Sequence, residues 1–208
     1  MKQKNNTSSS KKRSKNKDTM KGQNPSLLFK RAGIIFTLFI VFLVFSPVLR
    51  NGFISLDDGK FIYNNEMIRS LDGAHIKDFF TYKFQMPYYK PLVYISWAID
   101  YQLGGNNPHI FHTTNLILHL LSTFLLILIL IKGLKPFIKD AKMLYLLSFM
   151  LALLWAVHPM KVESVAWVTE RKDMLFGFFF FASLYTYMLF REKGNYLILI
   201  GSALLYAF

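Results

Sequence analysis

The side chains best suited to polar chemistry fall in two short stretches of an otherwise apolar chain. One is LDDG, residues 56–59, in which Asp57 and Asp58 are adjacent. The other is HPMKVESVAWVTERKD, His158 to Asp173, with seven ionisable side chains between two long apolar runs. Adjacent carboxylates suit three tasks: taking a proton from a hydroxyl, ligating a hard divalent cation, or capping the helix that follows. D-D-G by itself leaves all three open. In the second stretch the spacing from Pro159 to Asp173 predicts a short helix. On it Glu163 and Glu170 share a face, with Trp167 one turn from Glu163. The 3.6-residue period puts Arg171 about 80° around from Glu163, beside Glu170. A guanidinium pairs with phosphate oxygens two at a time, which makes Arg171 the phosphate-binding candidate. The plainer reading is that these charges solvate a turn and pair with one another.

Two further groups stand out. His112, Asn115 and His119 fall along one stripe of an apolar run. The two His are about 10 Å apart along a helix, too far to share one metal ion, so interhelical hydrogen bonding is their expected role. The cluster FFTYKFQMPYYKPLVYISW sets Lys83 and Lys90 among aromatic rings, as in an interfacial belt or a surface that contacts sugar or lipid.

The elements that must position these residues are membrane helices. The 208 residues are 53% hydrophobic and include 21 Phe, and several apolar runs approach the roughly 17–25 residues that cross a bilayer. There is no Cys, which leaves no disulfide or thiolate site. Of the net charge of +13, about nine units sit in residues 1–31, where ten Lys/Arg face Asp18 alone. This tail reads as a disordered cytoplasmic orientation signal, with no role in binding nucleic acid, since Lys30 and Arg31 abut the first apolar run. The expected order is a first span at 32–49 and a loop with amphipathic helices at 50–107. A second span at 108–131, a loop at 132–142 and a third span at 143–157 follow. A loop at 158–172, a fourth span at 173–190, a loop at 191–195 and an apolar run at 196–208 complete it. Basic loops alternate with balanced ones, placing the N-terminus in the cytoplasm and both chemical stretches on the external face. An apolar run that stops at Phe208 reads as part of a larger protein.

Four blocks in this order are familiar: LDDGKFIYNN (56–65), YKPL (89–92), NPHIFHTTNLILHLL (107–121) and HPMKVESVAWVTERKDML (158–175). The series resembles the N-terminal half of the membrane-embedded O-mannosyltransferase-like proteins with tetratricopeptide repeats, and their prokaryotic relatives. The resemblance covers about residues 34 to 190. It implies an all-α GT-C glycosyltransferase fold, a polyprenyl-phosphate-linked sugar donor, a protein or glycan acceptor and inverting transfer on the external face. In a prokaryote the membrane would be the plasma membrane. It puts the acceptor-activating acid on Asp57 or Asp58 and the donor phosphate on Arg171, with Lys172 beside it. His158, Glu163, Glu170, Asp173 and Lys90 are expected in support. No cofactor is required, although the Asp57–Asp58 pair permits a divalent metal. The alternative is a non-catalytic scaffold or a binder of lipid-linked sugar with the same fold.

Overall fold

The computed structural model describes residues 25–81 and 89–207. Most of the tail, and Lys83 with its aromatic neighbours up to Tyr88, lie outside the described residues. Among the described residues the chain is all-helical, with no strand. Helix α1 is Pro25–Phe45, continued by a 3₁₀ turn, Ser46–Arg50. An irregular stretch with two short turns leads to α2, Gly73–Phe80, and α3, Pro91–Gly104. Then come α4, Pro108–Leu134, and α5, Ala141–Ala156. The short α6, Lys161–Ala166, precedes α7, Arg171–Lys193, and α8, Tyr196–Tyr206.

Local chemistry sets these limits. Asn107, Asp140 and Asn195 cap α4, α5 and α8 by accepting the amides of His109, Met143 and Leu197. Pro91 and Pro108 sit in the first turns of α3 and α4, where a missing amide costs no bond. Gly194, at φ 67°, ends α7 in the left-handed conformation that glycine adopts without strain.

Three helical segments are long and apolar enough to cross a membrane: Ser26–Arg50, Pro108–Leu134 and Val168–Lys193. Two other apolar helices are shorter. The 16 residues of α5 reach about 24 Å, less than a typical hydrocarbon core of about 30 Å. The whole is an all-α membrane protein.

Helix α4 passes all three apolar clusters. Near its start Phe111 packs with Phe61, Trp97 and Val168; further along Leu116 meets Val41, Phe45 and Met174; then Ile127 meets Phe149 and Ala152. Gly33 of α1 lies against the Phe149 ring of α5, so near that an added Cβ would overlap it. A small residue at such a crossing lets two backbones approach where dispersion is the main attraction. By contrast, Ile35, Phe36 and Phe39 of α1 are exposed, as lipid-facing side chains are.

Candidate functional site

The two polar stretches meet through buried contacts. Asp58 is fully buried and accepts three hydrogen bonds. Its Oδ2 takes the Ile54 amide at 2.9 Å, and its Oδ1 takes the Thr169 amide at 3.1 Å and the Thr169 hydroxyl at 2.5 Å. The acid is therefore not the helix cap that local spacing allows. It ties the first loop to the segment just before α7. Asp57, its neighbour, is exposed.

Arg171 is likewise fully buried. Its Nη2 donates to Asp100 at 2.7 Å and to the Phe111 carbonyl at 2.8 Å; Nη1 donates to the Ser96 hydroxyl at 3.2 Å. Its Nε donates to the Asn115 side-chain oxygen. Four of its five N–H groups are thus bound to protein, and Asp100 also accepts from Thr114 at 2.6 Å. This buried knot joins α3, α4 and the start of α7.

The helix expected across 159–173 is broken. It stops at Ala166, Trp167 is extended at φ −96° and ψ 119°, and a 3₁₀ turn fills Val168–Glu170. The cause is visible. Asn115 Nδ2 donates to the carbonyls of Val165 and Trp167, at 3.3 and 3.1 Å, and Asp58 takes the Thr169 amide. Those backbone groups are used sideways instead of along a helix, so Glu163 and Glu170 do not share a face.

Because α7 begins at Arg171, consecutive residues point opposite ways: Arg171 into the protein, Lys172 and Asp173 outward. Lys172 Nζ pairs with Glu170 at 2.9 Å. Asp173 accepts from the Ser164 hydroxyl at 3.3 Å. Lys90, half-buried, lies 5.4 Å above the Phe61 ring. Its ammonium is pushed below the usual lysine range first by burial, then by Lys172; Glu170, Asp57 and Asp173 oppose that shift. Five of the residues singled out in the sequence therefore share one electrostatic neighbourhood. Lys90 and Lys172 also line a groove of about 390 Å³ with apolar walls that include Leu92, Leu175 and Phe176. Cations in the lining of a groove with apolar walls suit an anionic head with a greasy tail.

Curated proteins are similar to this chain over half of its length or more. Protein O-mannosyl-transferase TMTC4 of Mus musculus is 32% identical over 172 residues, 76% of this chain and 23% of that protein. TMTC2 of the same species is 30% identical over 139 residues, 64% of this chain and 16% of that protein. TMTC1, again of mouse, is 35% identical over 106 residues, 51% of this chain and 10% of that protein. Over these residues the chain is similar to protein O-mannosyl-transferases. It spans about a quarter or less of the length of these relatives. No family model matches it, and no solved structure does.

The remaining expected residues do not line that groove. His158 is exposed, and its Nδ1 accepts the Met160 amide at 3.3 Å. Glu163 is exposed on a second groove, with Ile54, Val162 and Trp167. The stripe on α4 does face the protein interior: Asn115 makes the bonds above, and His119 Nε2 donates to the Ala156 carbonyl at 3.0 Å. Sequence reasoning missed Thr169, Asp100 and Ser96. Asp100 had one signal, as an acid inside the apolar helix KPLVYISWAIDYQL. Among the described residues no cluster of three or more acids or His could hold a metal ion.

Proposed function

We propose that this chain carries the catalytic rim of a membrane glycosyltransferase. It moves a sugar, mannose in our reading, from a polyprenyl-phosphate donor to a hydroxyl of a protein acceptor on the external face. Asp57 takes the proton of the acceptor hydroxyl. The oxygen then bonds to the anomeric carbon from the side opposite the phosphate. The carbon–oxygen bond to phosphate breaks with inversion, and the lipid phosphate leaves with the bonding electrons. Lys90 and Lys172 receive the phosphate, Glu170 and Asp173 hold the two ammonium groups in register, and the apolar groove takes the first part of the lipid.

One observation carries this reading. Lys90 and Lys172, from separate parts of the chain, line a groove with apolar walls, and Asp57, from a third part, lies within electrostatic reach of Lys90. The burial of Asp58 and Arg171 supports giving the acid and phosphate roles to their exposed neighbours in this reading. The engagement of those two groups by protein donors and acceptors also suits a non-catalytic binder of lipid-linked sugar. The test is a set of membranes bearing the protein, supplied with radiolabelled polyprenyl-phosphate mannose. Transfer that Asp57→Asn abolishes while lipid-phosphate binding persists supports the enzyme. Binding without transfer in the wild type supports the binder. Neither binding nor transfer overturns both.

A further inference from the structure

At the end of the bundle away from the rim, the α4–α5 turn carries an unusual side chain. Phe137 is 83% exposed, the most exposed aromatic ring among the described residues. It sits where the Phe137 and Ile138 amides both close on the Leu134 carbonyl, so a compact turn holds it at the tip. Lys135 and Lys139 flank it, and Lys142 follows. Lys132 of α4 pairs with Glu192 of α7, which brings the ends of two candidate membrane spans together beside this turn. Arg191 and Lys193 add two more cations, so the end collects six basic residues against Asp140 and Glu192. Both acids are engaged, Asp140 in capping α5 and Glu192 with Lys132. Among the described residues Lys135, Lys139 and Lys142 are in no ion pair.

We infer that the turn from Lys135 to Lys139 is a membrane-surface anchor that recognises anionic phospholipid. Phe137 enters the boundary between headgroups and acyl chains, and Lys135, Lys139 and Lys142 pair with lipid phosphates. An exposed aromatic ring flanked by cations at the end of a membrane helix finds both of its complements in one place, an anionic leaflet. A protein partner would need an acidic surface with an aromatic pocket. The inference does not depend on the transferase reading.

The absence of Cys makes the test direct. Phe137→Cys gives a single site for a nitroxide label, read by collision with oxygen and with a water-soluble nickel chelate in lipid nanodiscs open on both faces. The expected result is oxygen-dominated contact in discs containing phosphatidylglycerol. In discs of phosphatidylcholine alone, the label shifts toward nickel contact. Replacing Lys135, Lys139 and Lys142 together by Gln removes the difference between the two discs, and replacing them by Arg keeps it. A label that is nickel-accessible in both discs, as for a ring awaiting a protein, overturns the inference. Equal burial in both discs, or a difference that survives the Gln changes, overturns the anionic-lipid half.

Discussion

Arg171→Met separates a structural role for this arginine from direct contact with a phosphate. The wild-type guanidinium is fully buried and donates to Asp100, Asn115, Ser96 and the Phe111 carbonyl. Met fills most of the volume but donates nothing. It leaves the Phe111 carbonyl and the Asn115 oxygen without that partner, and Asp100 with Thr114 alone. Removing one member of a buried ion pair costs about 3–5 kcal/mol. Burial already pushes the Asp100 carboxyl up, against the pull of Arg171, so without Arg171 the carboxyl takes a proton, which keeps the loss from running higher. The assay is reversible unfolding in mixed micelles, with Arg171→Met, Asp100→Leu and the double variant compared. The account expects each single change to cost several kcal/mol. It expects the double variant to regain much of that, because an apolar pair of similar volume suits a dry site. A loss below about 1 kcal/mol, the size of an exposed pair, combined with loss of lipid-phosphate binding, refutes the structural role and returns the phosphate to Arg171.

Three other outcomes follow from the same contacts. Asp58→Asn keeps one acceptor oxygen but turns an amide toward a backbone N–H, so it destabilises by about 1–3 kcal/mol in the same unfolding assay; Thr169→Val does likewise, and Thr169→Ser largely restores the fold. Lys90 titrates below the ordinary lysine value, so its contribution to lipid-phosphate binding is present at neutral pH and is lost as pH rises through that lowered value. Binding measured against pH falls earlier in the wild type than in Lys90→Arg; identical profiles contradict the role. Gly33→Leu overfills the crossing of α1 and α5 at Phe149 and costs about 1–3 kcal/mol, whereas the same change at Gly177, which faces open space, costs much less.

Much of the fold was readable because a membrane imposes a strong, one-dimensional pattern: apolar length, flanking charge and proline or asparagine at helix starts. Ser26–Arg50, Pro108–Leu134 and Val168–Lys193 are long and apolar enough to cross a membrane. Asp57, Lys90, Glu170, Lys172 and Asp173 stand out in the sequence and share one electrostatic neighbourhood, but which neighbouring side chains turn inward was not readable. Asp57 and Asp58 are equivalent on paper, as are Arg171 and Lys172. Which of each pair turns inward depends on Thr169 and Asp100, which are distant in sequence. The broken helix at Trp167 was hidden for the same reason. Asn115, some fifty residues earlier, takes the two carbonyls that a continuous helix would have used, and no local pattern records that competition.

In the proposed reading the working rim is Asp57 with Lys90 and Lys172, while Asp58 and Arg171 hold it in place. That reading is tested most directly by donor-dependent mannose transfer in membranes bearing either Asp57→Asn or Lys172→Gln, with unfolding stability measured on the same samples. The account predicts that Asp57→Asn abolishes transfer, that Lys172→Gln weakens donor use, and that both keep wild-type stability. Full transfer by Asp57→Asn at wild-type stability would contradict it.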